Sequence, residues 1–209
     1  MASVLLIYPF FSPSHDRSIF RFPPLGISYI AAALRNAGHE VRVLDCTFLD
    51  RGEALAKADQ AKADVVGIYI MMTMQPDATR FARLLRTRRR LLVAGGPLPS
   101  CDPAAFLDDF DVVVRGEGEQ TILDVLCAYE GNHDFNSVDG VAFRKNSNGA
   151  QDKEDIVLTN ARPLAVNLDA ISFPDSRPPA QRPVHPERAK TVWQSHHQYH
   201  DHKRLSFPL

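Results

Sequence analysis

Apolar residues in this chain come in short runs, and stretches with a helical period separate them. Val4–Tyr8, Glu40–Asp45, Asp64–Ile70, Leu91–Ala94 and Asp111–Val114 are the runs. Runs this short, rich in Val, Ile and Leu and bounded by Gly, Pro or Asp, predict strands of a parallel sheet covered on both faces. Between them, Gly26–Ala37 sets Ile27, Ile30, Ala31 and Leu34 on one face, and Gly38 follows where a helix-ending glycine belongs. Glu53–Ala61, Asp77–Arg90, Asp102–Asp108 and a segment from Gly116 to Tyr129 predict the other helices. Strands alternating with helices make an α/β fold, a doubly wound parallel sheet of five strands, Rossmann-like or flavodoxin-like.

After Gly131 the pattern changes. Val138–Arg144 and Asp155–Thr159 flank the turn residues Asn146-Ser147-Asn148-Gly149 and predict a β-hairpin appended to the sheet. From Pro163 onward Pro and His are frequent and periodicity is weak. The chain therefore divides into a sheet domain over 1–135, a hairpin and linker over 136–177, and a poorly structured Pro/His-rich tail over 178–209, with the look of a truncated or out-of-frame end. His196, His197, His200 and His202 are dense enough to attract a transition metal. No Cys or acidic cage is patterned around them, so an unstructured tail is the simpler reading.

Composition narrows the function classes. With 44% hydrophobic and 23% charged residues, the 209-residue chain can bury a sizeable core. The 24 basic residues are balanced by 25 acidic ones, which gives no electrostatic case for nucleic acid. The Arg86–Arg90 run reads as a solvated helix end that complements the dipole. No apolar stretch reaches membrane-spanning length, the amino terminus does not read as a signal peptide, and the three cysteines lie far apart. A cytoplasmic protein without disulfides, acting on neither membrane nor nucleic acid, is expected.

The candidate chemistry lies in the loops after the strands, because open α/β sheets bind ligands at the carboxyl ends of their strands. Leu91–Pro97 ends in Gly95-Gly96-Pro97, where the missing Cβ atoms let the backbone turn and a ligand come close. Asp45 either meets a ribose hydroxyl or caps the next segment. Thr73 either donates to a ligand or caps the helix starting near Pro76, and Met71, Met72 and Met74 either line an apolar site or fill the core. Arg115-Gly116-Glu117-Gly118-Glu119 opens a helix, where backbone N–H groups suit phosphate or amide oxygens. The Phe10–Pro24 loop is long for a strand-to-helix connection and is either functional or a packed surface excursion.

Taken in order, these segments resemble a known family. Val4-Leu5-Leu6-Ile7-Tyr8-Pro9, Phe22-Pro23-Pro24-Leu25-Gly26-Ile27-Ser28-Tyr29-Ile30-Ala31 and Ala37-Gly38-His39-Glu40-Val41 with Asp45 are similar to the amino-terminal domain of cobalamin-dependent radical S-adenosylmethionine enzymes. Val138-Asp139-Gly140-Val141-Ala142 and Ile171-Ser172-Phe173-Pro174 resemble that family's linker to its catalytic barrel. The resemblance spans residues 3–176. It implies cobalamin as cofactor, with Thr73, Gly95, Gly96, Pro97, Gly116, Glu117, Gly118 and Glu119 as its contacts and the nucleotide tail passing the Gly95-Gly96 backbone. A side chain at Gly96 is then expected to block the tail while leaving the fold intact.

Two departures shape the expectation. The cobalt-ligating string Asp-x-His-x-x-Gly is absent, and His15 lies in the first loop without that pattern, so the cofactor is expected base-off with no histidine beneath the metal. The cluster motif Cys-x-x-x-Cys-x-x-Cys is absent as well, so no catalytic or metal-ligating residue is assigned and a separate radical S-adenosylmethionine barrel protein is the expected partner. Two rival readings are a dinucleotide-binding Rossmann enzyme and a non-catalytic docking module. Against the first, Gly116-x-Gly118 leads to Thr121 where a third glycine is wanted.

Overall fold

A computed structural model describes residues 1–9, 24–47, 49–87, 89–131, 133–145, 155–167 and 172–174. Most of the Phe10–Pro24 loop with His15, the hairpin turn, Ile171 and the Pro/His-rich tail lie outside the described residues.

Among the described residues, seven strands form one sheet in the order β2-β1-β3-β4-β5-β6-β7. The first five, β1 (Ser3–Tyr8), β2 (Glu40–Asp45), β3 (Val65–Tyr69), β4 (Leu91–Gly95) and β5 (Val112–Val114), run parallel. The expected five-stranded sheet is thus corrected to a mixed one. The hairpin strands β6 (Val141–Arg144) and β7 (Ile156–Leu158) join the same ladder, β6 antiparallel to β5. The reason lies in β5: Val112, Val113 and Val114 are all buried, and an edge strand could not hide all three.

Helices cover both faces. On one side lie α1 (Leu25–Asn36) and α5 (Glu119–Glu130), packed on Val4, Leu6, Val65, Val93 and Val112 through Ile27, Ala31, Leu34, Ile122 and Val125. On the other lie α2 (Arg51–Gln60) and α3 (Gln75–Leu85), which bury Ala54, Ala58, Phe81 and Leu85 against Leu5, Ile7, Val66, Ile68 and Leu92. Alternation along each strand sends odd and even residues to opposite faces. Asp50 starts α2 by accepting hydrogen bonds from Gly52 N (2.8 Å) and Glu53 N (3.4 Å).

Two helix assignments change. The helix expected to reach Arg90 ends at Leu85, because Arg90 folds back to donate to the Leu85 carbonyl (2.8 Å) and to Ala63 O (3.0 Å). Arg86 pairs with Asp111 at 3.2 Å, so Arg86 and Arg90 fasten the loop to the sheet's amino edge. The segment Asp102–Asp108, expected as a helix, holds only a 3-10 turn (Pro103–Phe106), and a short helix α4 (Pro97–Cys101) precedes it. Each begins with a proline, whose missing N–H costs nothing in a first turn.

Candidate functional site

The two faces of the sheet are filled differently at the carboxyl edge. Between the sheet and the α1/α5 layer an apolar cleft of ≈ 200 Å³ opens upward. Leu6, Gly67 and Val93 stand side by side in register on β1, β3 and β4 and make its floor. One pleat higher, Tyr69 pairs with Gly95 and forms the rim. Ile27 and Ile30 of α1 and Ile122 of α5 supply the facing wall, and Gly116–Glu119 closes the mouth.

The cleft exists where side chains are missing. A Cβ on Gly95 or Gly116 would meet nothing within 4 Å, so both glycines leave open ground at the mouth. Gly118 does the opposite job: a Cβ there would stand 2.8 Å from Ile30 Cδ1, so its absence lets α5 approach α1. Gly96 serves the backbone. Its φ is +107°, and a Cβ would lie 2.9 Å from the Ile70 carbonyl oxygen and 3.1 Å from the Tyr69 ring. A side chain at Gly96 would therefore strain the fold itself, which corrects the expectation that the fold would survive it.

Hydrogen bonds tie the two glycine loops together. The Ser100 hydroxyl donates to Gly96 O at 2.9 Å and accepts from Gly116 N at 3.0 Å. That bond engages one of the amides expected to meet a ligand. Among the described residues α5 has no side-chain cap at its start. Its acidic mouth is partly occupied, since the Glu117 carboxylate accepts from Ala165 N at 2.9 Å. Residues 160–167 thus strap across α5, held also by the Arg162–Asp124 ion pair. A cavity of ≈ 590 Å³ with a mixed polar and apolar lining lies beneath the strap and shares Glu117 and Glu119 with the cleft.

At the rim, the Tyr8 and Tyr69 rings lie 5.4 Å apart at 31°. Burial, then the neighbouring Tyr69 and Asp45, push the Tyr8 phenol up to about 12, and burial raises Tyr69 too. Both phenols therefore stay neutral at physiological pH, as donors and not as phenolate ligands.

Of the residues expected as contacts, Gly95, Gly96 and Gly116–Glu119 border the cleft; Thr73 and Pro97 do not. Thr73 sits half-buried in the 3-10 turn Met72–Met74, and Pro97 is the first residue of α4. Asp45 accepts from Thr47 N at 3.0 Å and Thr47 Oγ1 at 2.5 Å, closing a local turn after β2, while Asp50 caps α2. Met74 is core and Met72 is exposed. Cys46 is buried while Cys101 and Cys127 are exposed. Sequence reasoning missed Gly67, Tyr69 and Ser100. A glycine inside an apolar central strand was the available signal for the first; Ser100 had none.

Comparison with known proteins agrees with this geometry. Residues 18–126 match the family model of the B12 binding domain. The anaerobic magnesium-protoporphyrin IX monomethyl ester cyclase of Synechocystis sp. is 32% identical over 158 residues, covering 71% of this chain and 30% of that protein. The cytidylyl-2-hydroxyethylphosphonate methyltransferase of Streptomyces wedmorensis is 31% identical over 191 residues, 72% of this chain and 35% of its own length. The chain spans about a third of the length of the curated relatives it matches. Among solved structures, the cobalamin-dependent S-adenosylmethionine radical enzyme OxsB with aqua-cobalamin bound superposes with a TM-score of 0.64 at 15% identity, over 78% of this chain and 23% of its own. The radical S-adenosylmethionine methyltransferase TsrM from Kitasatospora setae does so at 0.60 and 20% identity, over 81% of this chain and 30% of its own, with cobalamin and a [4Fe-4S] cluster bound.

The cleft fits part of such a cofactor. At ≈ 200 Å³ it is smaller than a pocket for a whole drug-sized ligand, so it suits a flat aromatic base and not a macrocycle. Among the described residues, the open ground at Gly95 and Gly116 leaves room at the loops after β4 and β5 for part of the larger ring. The chain belongs to the B12-binding domain family, and its cofactor is cobalamin.

Proposed function

We propose that this chain holds cobalamin base-off, with the nucleotide tail in the α1/α5 cleft and the corrin ring across the sheet's carboxyl edge. The observation that carries the reading is the glycine-bounded apolar slot beside the loops after β4 and β5. An aromatic base drawn into that slot is withdrawn from the metal. The ring's amide side chains suit the mouth: Glu117 and Glu119 accept N–H groups, and the uncapped first turn of α5 offers donors. Against a dinucleotide stands the glycine pattern, because Thr121 follows Gly116-x-Gly118 where the fingerprint wants a third glycine.

The bound cofactor supplies organocobalt chemistry; this chain's residues position it and shield its base from water. The reaction belongs with a radical S-adenosylmethionine barrel carried outside these 209 residues, and methyl transfer is the class the methyltransferase relatives favour. Reconstitution with hydroxocobalamin followed by electron paramagnetic resonance of the cobalt(II) form tests the binding mode. A bound corrinoid without nitrogen triplet splitting is expected. Triplets that vanish in His15→Ala would establish a histidine ligand and overturn the histidine-off reading.

A further inference from the structure

The central strand of the sheet carries a glycine where its neighbours carry apolar side chains. Gly67 is the middle residue of β3, flanked in register by Leu6 and Val93. Glycine inside a strand weakens it, and commonly marks a place where another group comes close. The protein itself intrudes there only by the tip of Leu6, whose Cδ2 stands 2.9 Å from where a Cβ would be. The space above Gly67 is the floor of the cleft. Two residues on, Tyr69 returns to the same face and contributes the one aromatic ring among the described residues lining the cleft.

The chemistry of that floor is uniform. Leu6, Gly67, Val93, Ile27 and Ile122 present no side-chain polar atom, and the backbone of β3 pairs with β1 on one side and β4 on the other. A ring nitrogen or amine pushed against such a floor loses its water and finds no partner, whereas methyl groups gain from burial. Corrinoids differ in the lower base they carry, so depth and polarity here discriminate among them.

Resting on the reading that the cleft holds the nucleotide tail, we infer that Gly67 and Tyr69 select the corrinoid's lower base, favouring dimethylbenzimidazole over adenine. Gly67 sets the depth available to the base's methyl-bearing edge, and Tyr69 gives its face an aromatic wall at the rim. A floor that rejects an unpaired polar group can discriminate strongly, and one methyl of lost depth is worth about 10–200-fold.

Three probes separate the outcomes when titrated into the full chain: cobalamin, the adenine-bearing corrinoid, and cobinamide, which has no base. Cobalamin is expected to bind at least about tenfold tighter than the adenine form. Gly67→Ala should lower cobalamin affinity by about tenfold or more while cobinamide stays within twofold. If Gly67→Ala does not fold, Leu6→Val in the same chain removes the Cδ2 that the new methyl meets and keeps the methyl on the floor. Val93→Thr keeps the floor's volume, adds a hydroxyl, and should narrow the preference for cobalamin. Equal binding of the two bases by the unmutated chain overturns the base choice alone. So does a Gly67→Ala loss shared equally by cobalamin and cobinamide. A chain that takes up none of the three overturns the cleft reading and this inference with it.

Discussion

The same parallel strands are packed solid on one face, while on the other they leave a hollow at the carboxyl edge. Toward α2 and α3, Ile7, Ile68 and Leu92 meet Phe81, Leu85, Phe106 and Phe110, each at most 3% exposed. Toward α1 and α5, the corresponding strand positions include Gly67 and Gly95, and the ≈ 200 Å³ cleft takes the place of side chains. The binding face differs from the structural face by what it lacks. Its polar groups stand at the mouth, so affinity there depends on shape and on the exclusion of water more than on charge.

That contrast is breakable in graded steps. Phe81→Ala on the solid face should cost about 3–5 kcal/mol of stability, read from chemical denaturation. It should leave corrinoid affinity of the folded protein unchanged. Gly96→Ala comes next, at about 1–3 kcal/mol, because the alanine must adopt φ +107° against the Ile70 carbonyl. Its neighbour should behave oppositely: Gly95→Leu should keep its melting temperature and lose cobalamin affinity by roughly tenfold. The same result from both glycines would dissolve the distinction between hinge and mouth.

The smallest effect is electrostatic. The Tyr8 phenol is raised from its ordinary value of 10.0 to about 12, first by burial. A raised folded value means that the associated stability is complete below pH 10 and is lost as pH climbs from 10 towards 12. Tyr8→Phe should flatten that part of the stability profile and remove the phenolate absorbance step near pH 12.

Much of the fold was legible because burial on both faces writes itself as unbroken apolar runs. The register of β2 with its last residue Asp45 coincides with the expected strand. The antiparallel extension was harder to see, since a hairpin pattern such as Val141-Ala142-Phe143 does not reveal which edge it joins. The premature end of α3 was hidden because Arg90 is an ordinary helix former in sequence and acts here through a long-range bond to Ala63. The site was half legible. Paired glycines at strand ends announce themselves, and Gly95 and Gly116 border the cleft. Thr73 lies outside it because the chain turns through a 3-10 segment before α3, a local geometry the polar residue alone does not specify.

Hydrogen exchange with and without cobalamin tests the central claim most directly, because it reads both faces in one experiment. The account predicts slowed exchange in the segments 26–31, 67–70, 94–97 and 115–122, and no change in α2 or α3. Protection centred on α2 and α3, with none at Gly67–Ile70 and Gly95–Gly96, would contradict it.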